Sequence, residues 1–245
     1  MIQVTWADYS NGVDSHFEVL GFLPYWTKNY QLKYQPLTHI AWFCVEIDSN
    51  GTIINHGWPP STIIDEAHSQ NERVLLTAAC FNDKENPHRV DDMLAGDHSY
   101  IVNQLLSLVR NGNGDGVIID FEFPSEDSAS LLVSFMRLLN DAFKKANPNY
   151  YLSICLPAWT RKEAFNCAEL SNYVDSFFIM AYDYDLGRPD AWPVSPLEGG
   201  WINVKATLTY YLGQTESWRF ILGLPRLDCG KRADRENTRA SKNHW

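Results

Sequence analysis

The chain has 245 residues, 45% of them hydrophobic, enough for one sizeable core and for one or two domains. Its formal net charge of −10 argues against nucleic acid or an anionic membrane surface as the main partner. No apolar run reaches the roughly 18 residues that a membrane-spanning helix needs. Residues 1–11 have neither a basic start nor an apolar stretch, so no signal peptide is visible there.

In chain order, the apolar pattern predicts strands over 17–25 and 39–47, a helix over 61–71, a strand over 73–81 and a helix over 97–111. A strand over 116–123, a helix over 125–146 and a strand over 151–158 follow. The series closes with a short helix within 161–170, a strand over 174–182, a helix over 203–212 and a strand over 219–224. The strand runs are rich in Val, Ile, Leu and Phe, as in strands covered on both faces. Ser61, Ser125 and Asn203 read as helix N-caps. Glu126 and Asp127 follow Ser125, while Lys144 and Lys145 stand before Pro148, as the helix dipole favours.

Repeated strand–helix order implies βαβ units and a parallel sheet. Seven strands are recognisable, whereas a closed (β/α)8 barrel needs eight. Residues 228–245 are polar and show no strand pattern, so the eighth is missing or divergent. An open doubly wound sheet is the structural alternative, but no glycine-rich phosphate loop follows the first strand. No linker or internal repeat divides the chain, and a single domain is expected over 1–245.

The most informative stretch is Asp115-Gly116-Val117-Ile118-Ile119-Asp120-Phe121-Glu122. On a strand, residues i and i+2 share a face. Ile118, Asp120 and Glu122 therefore face one side, and Val117, Ile119, Phe121 and Phe123 the other. Two carboxylates at the C-terminal end of an otherwise apolar strand are costly to bury and point to pKa tuning and proton transfer. Asp115, at the strand's start, reads as a structural group.

The five cysteines, Cys44, Cys80, Cys155, Cys167 and Cys229, show no zinc or redox spacing. Cys44, Cys80 and Cys155 sit in apolar runs and read as core thiols. Asn50-Gly51-Thr52 matches the glycosylation acceptor pattern. The 13% aromatic content suits a sugar-binding cleft and a bulky core equally.

Several motifs together resemble glycoside hydrolase family 18, the chitinase-like family, over about residues 17–226. Asp115, Asp120 and Glu122 match its Asp-x-x-Asp-x-Asp-x-Glu strand, with Ile118 in place of the second acid. Met180-Ala181-Tyr182-Asp183 matches the Met-x-Tyr-Asp of the sixth strand, and Leu222-Gly223-Leu224-Pro225 resembles the seventh. Val19 to Trp26 resembles the opening strand, and Thr38 to Phe43 the second. Leu75 to Phe81 departs from the family's Ser-x-Gly-Gly strand end. Asp-Phe-Glu in the fourth strand is also similar to a bacterial peptidoglycan-acting, spore-lytic branch.

The resemblance implies a TIM-type barrel and retaining, substrate-assisted cleavage of β-1,4-linked N-acetylglucosamine polymers. Glu122 would be the general acid and base. Asp120 and Tyr182 would hold the substrate's acetamido group, and Asp183 the sugar. Met180, Trp159, Phe22 and Trp26 are the further substrate-binding candidates, with Trp42, Trp192 and Trp201 as weaker aromatic ones. The implied partner is a carbohydrate, without metal, cofactor, nucleic acid or membrane, and a monomer is expected. Relatives are usually exported or on the cell surface. Two alternatives stand beside this reading: a peptidoglycan N-acetylglucosaminidase and a non-catalytic chitin-binding lectin.

Overall fold

The computed structural model describes residues 18–26, 37–159, 162–185 and 193–225. The side chain of Cys44, together with Phe17, Trp192, Cys229 and the 228–245 segment, lies outside the described residues.

The order of elements is β1 (Leu20–Pro24), β2 (His39–Ile47), β3 (Ile53–Asn55), α1 (Ser61–Ser69), β4 (Arg73–Phe81), α2 (Arg89–Ala95), α3 (His98–Asn111) and β5 (Gly116–Glu122). Then come α4 (Ala129–Ala146), β6 (Tyr151–Pro157), α5 (Cys167–Leu170), β7 (Ser176–Met180), α6 (Val204–Leu212) and β8 (Phe220–Gly223). Seven strands run parallel in the order β1-β2-β4-β5-β6-β7-β8, and β3 pairs antiparallel with β2 outside that path. Helices separate most consecutive strands, so the chain folds as the seven described parallel strands of a (β/α)8-type barrel, as the strand pattern predicts.

Each strand sorts its side chains by the two-residue period. One face meets the helices. It forms a large core that includes Val117, Ile119 and Phe121 of β5 and Leu132, Phe135, Met136, Leu139 and Phe143 of α4. The α4 residues recur at helical spacing, and burying each contributes about 1.5–3 kcal/mol. The other face fills the barrel interior with Leu20, Ala41, Leu75, Ile118, Tyr151, Cys155, Phe178 and Ile221. Gly116 opens β5 because a Cβ there would lie 1.9 Å from the carbonyl oxygen of Tyr151. Only glycine permits that approach.

Several expectations need correction. β3 and α2 are additional to the predicted elements. Asn50 and Gly51 form the β2–β3 turn, where Asp48 Oδ1 accepts from the amides of Asn50 and Thr52 and Gly51 has φ 81°. Ser61 is the first residue of α1, and Pro60 takes the cap position. Ser125 does not cap a helix: its hydroxyl donates to Asp91 Oδ1 at 3.0 Å, and a short 3-10 turn over Glu126–Ser128 precedes α4. Asn203 does cap α6, accepting from the Ala206 amide at 2.8 Å. Tyr182 lies beyond β7 rather than within it.

Candidate active site

β5 delivers Ile118, Asp120 and Glu122 to the barrel interior in ascending order toward its C-terminal end. Asp115, at the opposite end, accepts from the Val74 amide at 2.7 Å and pairs with His68 at 2.8 Å. It ties β5 to its neighbours, as expected of a structural group.

Asp120 is 6% exposed and Glu122 is half-buried at the strand's end. Burial raises Asp120 to about 6, while the neighbouring Cys155 thiol works the other way. Burial first, then the nearby Asp120 and Asp183 carboxylates, push Glu122 up to about 8. Two carboxylates this close cannot both ionise cheaply, so the proton stays on Glu122 while Asp120 carries the charge. That division is the one an acid catalyst beside a charge-stabilising carboxylate requires.

The chain leaves the two site-bearing strands through similar backbone bends. Phe123, after Glu122, has φ 64°, and Asp183, after Tyr182, has φ 58°. For Phe123 this left-handed conformation costs about 1 kcal/mol or more. Two bonds between residues i and i+2, Ala181 N–H to Ile179 O and Tyr182 N–H to Met180 O, turn the chain out of β7. The loop after β5 is braced from α2. Asp91 Oδ1 accepts from the Ser125 amide at 2.8 Å and from the Ser128 hydroxyl at 2.7 Å.

Phe22, Met180 and Tyr182 pack together against the interior cluster, so the structure brings these three sequence candidates to the carboxylate end of the barrel. The Tyr182 hydroxyl is pushed well above its ordinary range, by burial first and then by Asp120. It therefore remains a hydrogen-bond donor. Trp26 is 45% exposed and meets Phe43 edge-on at 5.9 Å. Phe43 in turn stacks with Phe81 at 6.3 Å, and Phe22 meets Phe178 at 5.0 Å. Trp159 packs instead against the outer core, Trp42 donates its indole N–H to Gly57 O, and Trp201 is 78% exposed on the loop before α6. Phe43, Phe81 and Cys155 were not sequence candidates for the site. Their position on the interior face of strands β2, β4 and β6 is the signal that could have found them.

A cavity of about 500 Å³ lies at the other end of the barrel, among Glu18, Arg73, Lys144, Tyr151, Asp175 and Arg219. It is remote from the carboxylates, and barrels of this type place their chemistry at the C-terminal ends of the strands.

Residues 18–241 match the family model described as "Glycosyl hydrolases family 18", and the chain belongs to that family. It is 30% identical over 132 residues to the "Putative sporulation-specific glycosylase YdhD" of Bacillus subtilis (strain 168), a match covering 51% of this chain and 30% of that protein. The crystal structure of YdhD superposes with a TM-score of 0.65 at 25% identity, covering 76% of this chain and 63% of that one. A chitinase of Rhizomucor miehei shares the fold with a TM-score of 0.67 at 18% identity, over 84% of this chain and 68% of that one. The Group IV chitinase of Ostrinia furnacalis, solved with allosamidin, shares it at 0.63 and 19%, over 77% and 58%.

Proposed function

We propose that this chain hydrolyses β-1,4-linked N-acetylglucosamine polymers with retention of configuration, using the substrate's own acetamido group as nucleophile. The observation that carries the reading is the placement of Asp120 and Glu122 on the interior face at the C-terminal end of β5, where burial raises both carboxyls. Glu122, protonated at neutral pH, gives its proton to the leaving glycosidic oxygen. The acetamido carbonyl oxygen closes on the anomeric carbon, and the ionised Asp120 stabilises the positive oxazolinium that results. Glu122, now ionised, removes a proton from the water that opens this ring, and the product keeps the β configuration.

Asp120 Oδ1 is buried without a hydrogen-bond partner among the described residues, which suits acceptance of the acetamido N–H. Tyr182 donates to the acetamido oxygen, and Asp183 holds a sugar hydroxyl. Met180, Phe22 and Trp26 supply the apolar wall, with Trp26 offering the most open ring of the three. Trp159, packed on the outer core, serves at most the rim.

The identity to a protein named as a sporulation-specific glycosylase supports a second choice of polymer, an N-acetylglucosamine-containing cell-wall glycan. Proton NMR of the anomeric signals during cleavage of N-acetylglucosamine oligomers tests the mechanism. Initial appearance of the β anomer is expected. Initial α anomer contradicts substrate assistance, and oligomers that bind uncut assign the chain to the lectin reading.

A further inference from the structure

We propose that Glu46, held by His56, is a specificity-determining residue that accepts a hydroxyl of the sugar ring next to the one at Asp120. The inference rests on the hydrolase reading above for the polymer it names; the placement of the two side chains does not.

β2 sends its side chains alternately to the barrel interior and the outer core, and one bulge breaks that alternation. Phe43 is the register partner of Thr77, and Val45 that of Ala78, so the pairing skips one residue of β2. Phe43 faces the interior, where it meets Phe22 edge-on at 6.5 Å. Val45 and Ile47 pack with Ala78 in the outer core. Glu46, between them, is thereby turned to the interior face. Without the bulge, the two-residue period would put Val45 there and bury Glu46 against the helices. Bulges recur beside active sites because they re-aim side chains in this way.

The register then sets the level of Glu46 along the barrel. It stands beside Ala79 of β4, and Ala79 stands beside Asp120 of β5. Glu46 and Asp120 thus share one face and one level, two strand spacings or about 10 Å apart. That places Glu46 outside the catalytic pair but along the same wall, within reach of the next ring of a bound glycan.

His56, from the loop after β3, holds the carboxyl: its Nε2 donates to Glu46 Oε1 at 2.8 Å. The imidazole is itself fixed. It lies parallel to the Tyr25 ring, with centroids 4.3 Å apart. Gly57, next in the chain, accepts the Trp42 indole N–H at 2.8 Å and donates its amide to Asn55 Oδ1 at 2.9 Å. Tyr25 is anchored through its amide to Phe43 O at 2.7 Å, and Trp26 meets its ring edge-on at 4.9 Å. The pair therefore adjoins the aromatic wall of the cleft. The His56 and Glu46 side chains are 24% and 37% exposed, so solvent and ligand reach both. Glu46 Oε2 has no hydrogen-bond partner among the described residues. A carboxylate with one oxygen fixed and the other open, set beside aromatic rings, suits a sugar that presents hydroxyls at its edge and an apolar face.

The test is calorimetric binding of an N-acetylglucosamine hexamer in the Glu122→Gln background, which blocks turnover, with and without Glu46→Gln and His56→Ala. Steady-state kinetics and thermal melts follow the same two substitutions in wild type. Glu46→Gln should weaken hexamer binding about tenfold and raise KM to match, with kcat changed by no more than about twofold. His56→Ala should weaken binding by itself and add little to Glu46→Gln, because it acts through that carboxyl.

Unchanged hexamer affinity in Glu46→Gln overturns the proposal. So does a variant that melts lower but binds as before, which marks a link that only pins the β3 hairpin. Fully additive losses overturn the role of His56. A wild type that binds the hexamer and never cuts it contradicts the hydrolase reading alone, and the affinities then decide Glu46. A chain that neither binds nor cuts the hexamer overturns both.

Discussion

The side-chain amide of Asn82 donates to the carbonyl oxygen of Phe123 at 2.9 Å, while its Oδ1 accepts from the Val90 amide at 3.0 Å. One residue past β4 thereby grips the strained bend behind Glu122 and anchors it to α2. Asn82→Ala removes both bonds. Stability should fall by about 1–2 kcal/mol. The bend should also relax, lowering kcat by about tenfold to a hundredfold with KM little changed. Steady-state kinetics beside a denaturant melt separate the two effects.

Thr77 stands opposite Ile118 in the β4–β5 register, and its buried hydroxyl has no hydrogen-bond partner among the described residues. A lone buried hydroxyl costs free energy that an isosteric methyl does not. Thr77→Val should therefore raise stability by about 1 kcal/mol, read as a higher midpoint in urea. A loss of stability would show that the hydroxyl is satisfied.

The carboxylate pair sets a pH window for turnover. Asp120 must be ionised and Glu122 protonated, so kcat should rise as pH passes about 6 and fall as it passes about 8. Unperturbed carboxylates would place both limbs near pH 4. A pH–rate profile of kcat decides between them.

His39 couples folding to acid. Its Nε2 lies 3.2 Å from Arg73 Nη1 and its Nδ1 lies 2.8 Å from Thr38 Oγ1, so the neutral ring accepts from Arg73 and donates to Thr38. Burial first, and then the Arg73 charge, lower it to about 3 from 6.5. Because the folded value is depressed, the neutral ring's stabilisation is complete above pH 6.5 and is lost as pH falls toward 3. The loss should reach about 2 kcal/mol by about pH 5. Melts of wild type and His39→Phe from pH 7.5 to 5 check it, the variant having the shallower dependence.

Much of the fold could be read from residue periodicity. The strands at 39–47 and 73–81 have the predicted bounds because long apolar runs leave no other assignment. β3 and α2 are short, three and seven residues, and their patterns are too brief to stand out. Asn50-Gly51 was the available hairpin signal for β3. Ser125 has the composition of a cap, but Asp91, distant in sequence, competes for its hydroxyl, and such tertiary competition leaves no local trace. At the site, the i, i+2 spacing placed Asp120 and Glu122 on one face. Asn82 was not legible, because what matters is its partners on another strand and helix, Phe123 and Val90.

The most direct measurement is kcat of Glu122→Gln on N-acetylglucosamine oligomers, with a thermal melt of the same sample. The amide keeps the shape of the carboxyl but cannot deliver a proton. If Glu122 is the general acid, kcat should fall by about a thousandfold or more while the melt stays cooperative and oligomer binding persists. A variant that retains substantial turnover with an intact fold would contradict the assignment.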